Sequence, residues 1–224
     1  MIAEPSTLAT DYALTAIGAW LGWRLHVAAR SAGHRAVRLW ASAFAFSAAG
    51  SLFGGTYHGF WRSMPATAAT IVWTAATILV GCSACLLLSA TIVAVCRRRT
   101  QRWLLPLVWI QFSIYVIWML RHDAFFYVIV EYGTAMLLIV AILVSDAETR
   151  RRAWARWTIG GIATTIAAAA VQQSGIDAHE LLNHNDLQHV VQMIGLFLLY
   201  RGGVQLIEAS STSAAYPVAE NRPA

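Results

Sequence analysis

Lysine is absent from this sequence of 224 residues, and charged residues of every kind make up only 12% of it. A soluble domain carries about 25% charged residues. Hydrophobic residues account for 58% of the chain, which is more than a water-soluble fold of this size can bury. We therefore expect a polytopic membrane protein. The missing lysine excludes a seven-helix retinal protein, because retinal needs a lysine Schiff base.

Cysteine is scarce as well, with Cys82, Cys85 and Cys96 as the only three. Cys82 and Cys85 have the spacing of a redox motif, but both lie inside the apolar run 71–95. Buried cysteine behaves as a small hydrophobic residue. We therefore expect ordinary packing, and no disulfide framework is predicted.

Seven apolar segments are separated by short polar loops. About 20 apolar residues cross a bilayer as a helix, so we predict an all-α fold, a bundle of seven transmembrane helices. The predicted spans are 9–28, 38–61, 67–95, 103–120, 124–144, 157–174 and 185–207. They form one domain, residues 1–208, followed by a disordered cytoplasmic tail, 209–224, that is poor in bulky apolar residues. Small-residue patches at 50–55, 160–161 and 202–203 predict close helix contacts.

The arginines alternate between the two sides of this bundle. Fourteen of the 16 fall in loops 1–2, 3–4 and 5–6 or on the C-terminal side, whereas the other side has only Arg62 and Arg121. The positive-inside rule then places the N-terminus outside and the C-terminus in the cytoplasm. Because the arginines are scattered through short loops, no nucleic-acid partner is expected. Basic residues that are all arginine, with abundant alanine, favour a bacterial inner membrane.

Ionisable residues collect on the predicted outer side. His58 ends the second span, and the stretch 179–189 brings three histidines and two carboxylates to the start of the seventh. Ser47, Ser51 and His58 have helical spacing that places them on one face, as do Asn185, His189 and Gln192. Polar groups at the mouth of a membrane helix are costly and are therefore read first as functional.

These residues could form a zinc site. Zinc takes three or four nitrogen, sulfur or oxygen ligands, and His58 with His189 could supply two, with His184 or Asp186 as the third. Asn185 and Gln192 share the face of His189 and would hold the ligands in place. Zinc would lower the pKa of a bound water, and a nearby carboxylate would act as general base. The alternative is that these histidines are interfacial hydrogen-bonding residues.

Glu131 lies about two turns inside the fifth predicted span. A carboxylate at this depth is expensive, so it marks either a proton or ion site or a structural acid. Both interpretations stay open on the sequence alone.

A late histidine in helix two and a histidine motif opening helix seven resemble the CREST superfamily. That group includes alkaline ceramidases, the progestin and adipoQ receptors and GPI-anchor lipid-remodelling proteins. The similar stretch here is Asn183-His-Asn-Asp-Leu-Gln-His189-Val190, after Asp177. Gly54 stands four residues before His58, where the family has serine, Asn185 stands where the family has the first histidine, and the third span lacks the family's acid.

The resemblance implies a zinc-dependent hydrolase of lipid amides or esters. Its zinc ligands would be His58, His184 and His189. Ser51 would replace the displaced serine, and Glu131 or Asp186 the missing acid. Membrane lipid is then the expected substrate. Two other classes stay open: a non-enzymatic protein that binds lipid or a partner helix, and a small transporter that uses Glu131.

Overall fold

The computed structural model describes residues 2–179 and 182–215. The prediction of an all-helical fold is confirmed over these residues. The eight helices are α1 (Pro5–Ser31), α2 (Arg35–Phe60), α3 (Ala66–Val95), α4 (Arg98–Met119), α5 (Phe126–Ser145), α6 (Ala147–Arg151), α7 (Ala153–Ser174) and α8 (His184–Ala215). Helix α8 continues past the predicted domain boundary at residue 208, and residues 216–224 of the predicted tail lie outside the described residues.

Several helices have the dimensions of membrane spans. A helix of 20 residues is about 30 Å long, which matches the hydrophobic thickness of a bilayer. Helices α2, α3, α4, α5 and α8 are both long enough and apolar enough to cross a membrane. Helices α1 and α7, with 27 and 22 residues, are long enough to cross a membrane but less apolar than the other five. Helix α1, for example, carries the charged residues Asp11, Arg24 and Arg30. Helix α6 has only five residues.

The long helices pack mainly against their neighbours in the chain. Helix α1 contacts α2 and α8, α3 contacts α2, α4 and α5, and α7 packs along α8. The core between them is made mostly of aliphatic side chains, with Trp40 fully buried among them. Helices α5 and α7 touch only lightly, so one side of the bundle is loosely closed.

Glycines set the closest helix contacts. A β-carbon at Gly50 of α2 would lie 2.8 Å from Val80 of α3, and one at Gly161 of α7 would lie 2.7 Å from Leu199 of α8. Both distances are too short for any side chain, so only glycine permits these crossings. The predicted contacts at these two positions are confirmed, whereas a β-carbon at Gly160 would meet nothing within 4 Å.

Helix α4 presents apolar side chains outward. Only three of its residues are buried, and the large side chains Leu107, Ile110, Ile114 and Ile117 are each more than half exposed. Their spacing places them along one side of the helix. A continuous exposed apolar surface of this kind suits contact with lipid tails rather than water.

The loops rich in arginine meet at one end of the bundle. A cleft there is lined by the α1–α2 loop, the last turn of α3, the α6–α7 junction and the end of α8. At the opposite end, the Ala3 N–H donates to the backbone oxygen of Gly59 at 2.9 Å. The Trp73 indole N–H donates to the backbone oxygen of Asp123 there at 2.8 Å. The candidate site lies towards this second end.

Candidate functional site

A cavity of about 260 Å³ lies among α1, α2, α3, α5, α7 and α8. Apolar side chains such as Leu14, Val80 and Met136 form much of its wall. Its polar lining comes from Asp11, Ser47, Ser51, His58, Thr77, Thr165, Gln172, Asn185, Gln188, His189 and Gln192. A small volume with an apolar wall and convergent polar groups is the usual form of a ligand site.

The polar face of α2 points into this cavity. Ser47, Ser51 and His58 all line it, so the face predicted from their spacing is confirmed. Ser51 is 8% exposed. Helix α2 therefore brings a hydroxyl group and an imidazole to the same space.

His58 is paired with a carboxylate from the start of the chain. Its Nδ1 lies 2.9 Å from Oε2 of Glu4, the residue just before α1. The His58 ring also meets the Trp73 ring edge to face, with centroids 6.1 Å apart. The end of α2 is thereby tied to the start of α1 and to α3.

The start of α8 is built by reciprocal capping. Asn183 Oδ1 accepts from the backbone N–H groups of Asn185, at 2.8 Å, and Asp186, at 3.1 Å. Asp186 Oδ2 accepts in return from the Asn183 N–H at 3.0 Å. This arrangement satisfies the free donors of the first turn. Asp186 is fully buried and works as a cap, and it does not line the cavity.

Helix α8 presents its predicted face to the cavity. Asn185, His189 and Gln192 all line it, which confirms the grouping. The Gln172 amide donates to Asn185 Oδ1 at 3.2 Å, and the Gln192 amide donates to Thr165 Oγ1 at 3.3 Å. These two bonds join α8 to α7 at the cavity wall.

His189 is held by α1 on both sides of its ring. Its Nδ1 lies 2.9 Å from Thr10 Oγ1, and its Nε2 lies 3.3 Å from Asp11 Oδ1. His189 is 8% exposed and Asp11 4%. Asp11 also lines the cavity, so a buried imidazole–carboxylate pair reaches it from two helices.

Two glycines make room for Asp11 on α2. A β-carbon at Gly55 would lie 2.7 Å from the Asp11 β-carbon, which is too close for any side chain. At Gly54 a β-carbon would lie 3.6 Å from Asp11 Oδ2, an ordinary contact distance. The position that departs from the CREST pattern therefore faces the Asp11 carboxylate.

His184, the third predicted zinc ligand, does not line the cavity. Its Nδ1 lies 2.8 Å from Asp177 Oδ1, and its backbone N–H donates to the same oxygen at 2.9 Å. The hydrogen bond from the His184 side chain lowers the pKa of Asp177. His184 and Asp177 thus form a clip in the loop before α8.

Glu131 lies apart from the cavity, between α3, α4 and α5. Cys85 Sγ donates to its Oε1 at 3.3 Å, and the Gln111 amide donates to its Oε2. Glu131 is 5% exposed. The structure does not bring it together with His58 and His189, and its contacts join α4 to the rest of the bundle.

The arrangement does not fit the predicted zinc site. Within residues 2–179 and 182–215, no group of three or more histidine, cysteine or acidic side chains could hold a metal ion. His58 and His189 each face a carboxylate, and His184 is bound to Asp177. Two of the three predicted ligands share a cavity, and the third is elsewhere.

Glu4, Thr10 and Asp11 were not predicted as site residues. Asp11 carried a signal, because it is an acid inside the first predicted span, where a charge is costly. No feature of the sequence distinguishes Glu4 and Thr10 from ordinary residues at the start of a helix.

A family model described as "Family of unknown function (DUF6962)" matches residues 6–208. No curated protein matches the chain, and no solved structure does.

Proposed function

Since the chain belongs to the family of unknown function DUF6962, its activity has to be inferred from its own residues. We propose that it is an integral membrane protein that binds a membrane lipid or a similar amphiphile in the cavity beside His58, Asp11 and His189. The bundle crosses the bilayer seven times, with the N-terminus outside and the C-terminus in the cytoplasm. In this orientation the cavity opens in the outer half of the membrane, and a bacterial inner membrane is the proposed location.

The proposed topology is supported by the separation of charge between the two ends. Fourteen of 16 arginines lie in or beside the loops of one side or towards the C-terminus, and the loops of that side meet at one end of the bundle. Seven helices have at least 20 residues each. An odd number of crossings then places the two termini on opposite sides.

The single observation that carries lipid binding is the composition of the cavity. Its wall combines aliphatic side chains with two imidazoles, a carboxyl group and several amides. A lipid likewise combines an apolar tail with a polar head. Lateral access is supported on the side where α5 and α7 touch lightly, because Gly133 and Ile166 line the cavity there and Ile166 is 45% exposed.

The test is native mass spectrometry of the protein purified in mild detergent, with two matched tryptophan variants. A β-carbon at Gly133 or at Gly160 would meet nothing within 4 Å, but only Gly133 lines the cavity. We expect bound lipid in the wild type and in Gly160→Trp, and its loss in Gly133→Trp. Equal lipid retention in all three proteins would place the lipid outside this cavity and overturn the proposal.

Lipid amide or ester hydrolysis is the second candidate. It is favoured by the presence of Ser51, Asp11 and His189 at one cavity. The buried His189–Asp11 pair has the composition of a general acid–base unit, and Ser51 offers a hydroxyl group. No step is assigned to zinc, because the described residues do not form its ligand set.

Hydrolysis is tested with fluorescent long-chain amides and esters and with elemental analysis of the same samples. Turnover that disappears in His189→Asn, in a variant that still retains lipid, supports an enzyme. Absence of turnover with lipid bound leaves a binding protein. About one equivalent of zinc, lost in both His58→Ala and His189→Ala, would restore the metal hypothesis.

A further inference from the structure

Carboxyl groups lie at and near the polar end of the cavity. Glu4 pairs with His58, Asp11 pairs with His189, and Asp186 lies beside Thr10 at 3.4 Å. Of these three carboxyl groups only Asp11 lines the cavity. Among the described residues that line the cavity there is no arginine, and the chain contains no lysine. A polar end whose described residues offer the Asp11 carboxyl group and neither arginine nor lysine suits a cation better than an anion.

Aromatic rings form the wall next to these acids. Trp73 and Phe125 both line the cavity, with ring centroids 5.9 Å apart. Tyr57 also packs against Trp73, with ring centroids 4.8 Å apart. The face of an aromatic ring attracts cations, and such rings are the common binding surface for ammonium groups.

We propose that the cavity selects a single-tailed amphiphile with an ammonium head. The head lies between the Trp73 and Phe125 rings and the Asp11 carboxylate, and the tail follows the aliphatic wall towards the side of α5 and α7. This inference rests on the proposed lipid-binding function and specifies its ligand class. It includes primary and quaternary long-chain amines.

The same residues disfavour a head group whose only charge is a phosphate. Phosphate is usually bound by arginine forks, lysine or helix N–H groups. The first-turn donors nearest the cavity are already used by Asn183 Oδ1. A phosphate beside Asp11 would meet a carboxyl group, and among the described residues neither arginine nor lysine lines the cavity to bind it.

The experiment measures binding of radiolabelled hexadecyltrimethylammonium to the purified full chain in maltoside micelles. Unlabelled competitors share one tail and differ only in the head: hexadecyltrimethylammonium, hexadecanol and hexadecyl phosphate. We expect the ammonium compound to compete at least about tenfold better than the alcohol, as one cation–aromatic contact implies. The phosphate should compete least.

Variants locate the site. Trp73→Leu and Asp11→Asn should each weaken ammonium binding by roughly tenfold, while Trp73→Phe keeps an aromatic face and should retain most of it. Trp109→Leu is the control, because Trp109 lies on α4 away from the cavity. If Trp73→Leu does not fold, Phe125→Leu takes its place.

The outcomes separate the two proposals. Equal competition by all three heads, with loss in Gly133→Trp, would overturn the ammonium preference and leave lipid binding intact. Stronger competition by the phosphate would also overturn it. No specific binding of any head group would contradict both this inference and the proposed function.

Discussion

Asp11 of α1 faces Gly54 of α2 so closely that a β-carbon at Gly54 would lie 3.6 Å from Asp11 Oδ2. A β-carbon at the adjacent Gly55 would come closer still, to 2.7 Å from the Asp11 β-carbon. The two glycines therefore differ in purpose. Gly55 permits the helices to approach, whereas Gly54 leaves space beside a carboxylate oxygen at the cavity.

Substitutions at the two glycines should have opposite effects. Gly55→Ala forces α1 away from α2 and should lower the free energy of unfolding by about 1–3 kcal/mol. Gly54→Ser fits the available space, and its hydroxyl can donate to Asp11, which should contribute about 0.5–1.5 kcal/mol. Reversible unfolding in mild detergent measures both, with Gly54→Ala as the control for helix propensity. Equal destabilisation at the two positions would contradict this assignment.

His189 should matter more to stability than His184. Truncation by His189→Ala leaves Thr10 and the buried Asp11 without their ring partner, so we expect a loss of about 1–3 kcal/mol. His184→Ala removes an exposed pairing with Asp177, and exposed ion pairs contribute little to stability because water screens them. Thermal unfolding of the two variants in the same detergent compares them. A larger shift in His184→Ala would show that α8 is anchored by its loop and not by α1.

The Asp177 clip predicts a pH dependence in the loop before α8. The hydrogen bond from His184 lowers the Asp177 pKa below its ordinary value of about 3.9. The clip therefore stabilises the loop fully above that ordinary value, and the effect is lost as the pH falls through the lowered pKa.

Hydrogen exchange at the His184 backbone N–H reports the clip directly, because that N–H donates to Asp177. After correction for the intrinsic pH dependence of exchange, protection should be constant near neutral pH and fall only in strong acid. Asp177→Asn should remove that acid step. Unchanged protection in the variant at every pH would show that the carboxylate does not hold the loop.

Glu131 should behave as a hydrogen-bonding support for α4. Glu131→Gln keeps an acceptor for Cys85 and should cost less than about 1 kcal/mol. Glu131→Leu removes the acceptor of the buried Cys85 thiol and of the Gln111 amide, which is exposed on α4, and should cost about 1–3 kcal/mol. Unfolding experiments distinguish the two variants. If Glu131→Gln instead kept its stability but abolished proton-coupled uptake in vesicles, the carboxylate would be a transport site.

The helices and two polar faces could be predicted because they depend on local periodicity. Ser51 and His58 share a face through spacing along α2 alone, and the same holds for Asn185 and His189 along α8. The apolar segments that form the long helices are too many and too long for a water-soluble protein. The membrane location could therefore also be predicted, from composition.

The partners of the two histidines could not be predicted, because they depend on which helices pack side by side. Asp11 reaches His189 only because α1 lies between α2 and α8. The resemblance offers Glu131 as one replacement for the missing acid, and its depth along α5 indicates only that its burial is costly. Depth does not indicate direction, and this residue points towards α3 and α4 instead.

The contacts of Thr10 and Asp11 with the His189 ring also link α1 to the start of α8. The Thr10 hydroxyl carries one hydrogen, and four acceptors lie within reach of it: the backbone oxygens of Ser6 and Thr7, Asp186 Oδ1 and His189 Nδ1. When the ring tautomer leaves Nδ1 bare, His189 competes with the three oxygens for that hydrogen; when Nδ1 is protonated, Thr10 accepts from the ring and its own hydrogen goes to one of the oxygens. Since Asp186 also closes the cap with Asn183, Thr10 places the His189 ring and the first turn of α8 in one hydrogen-bond network.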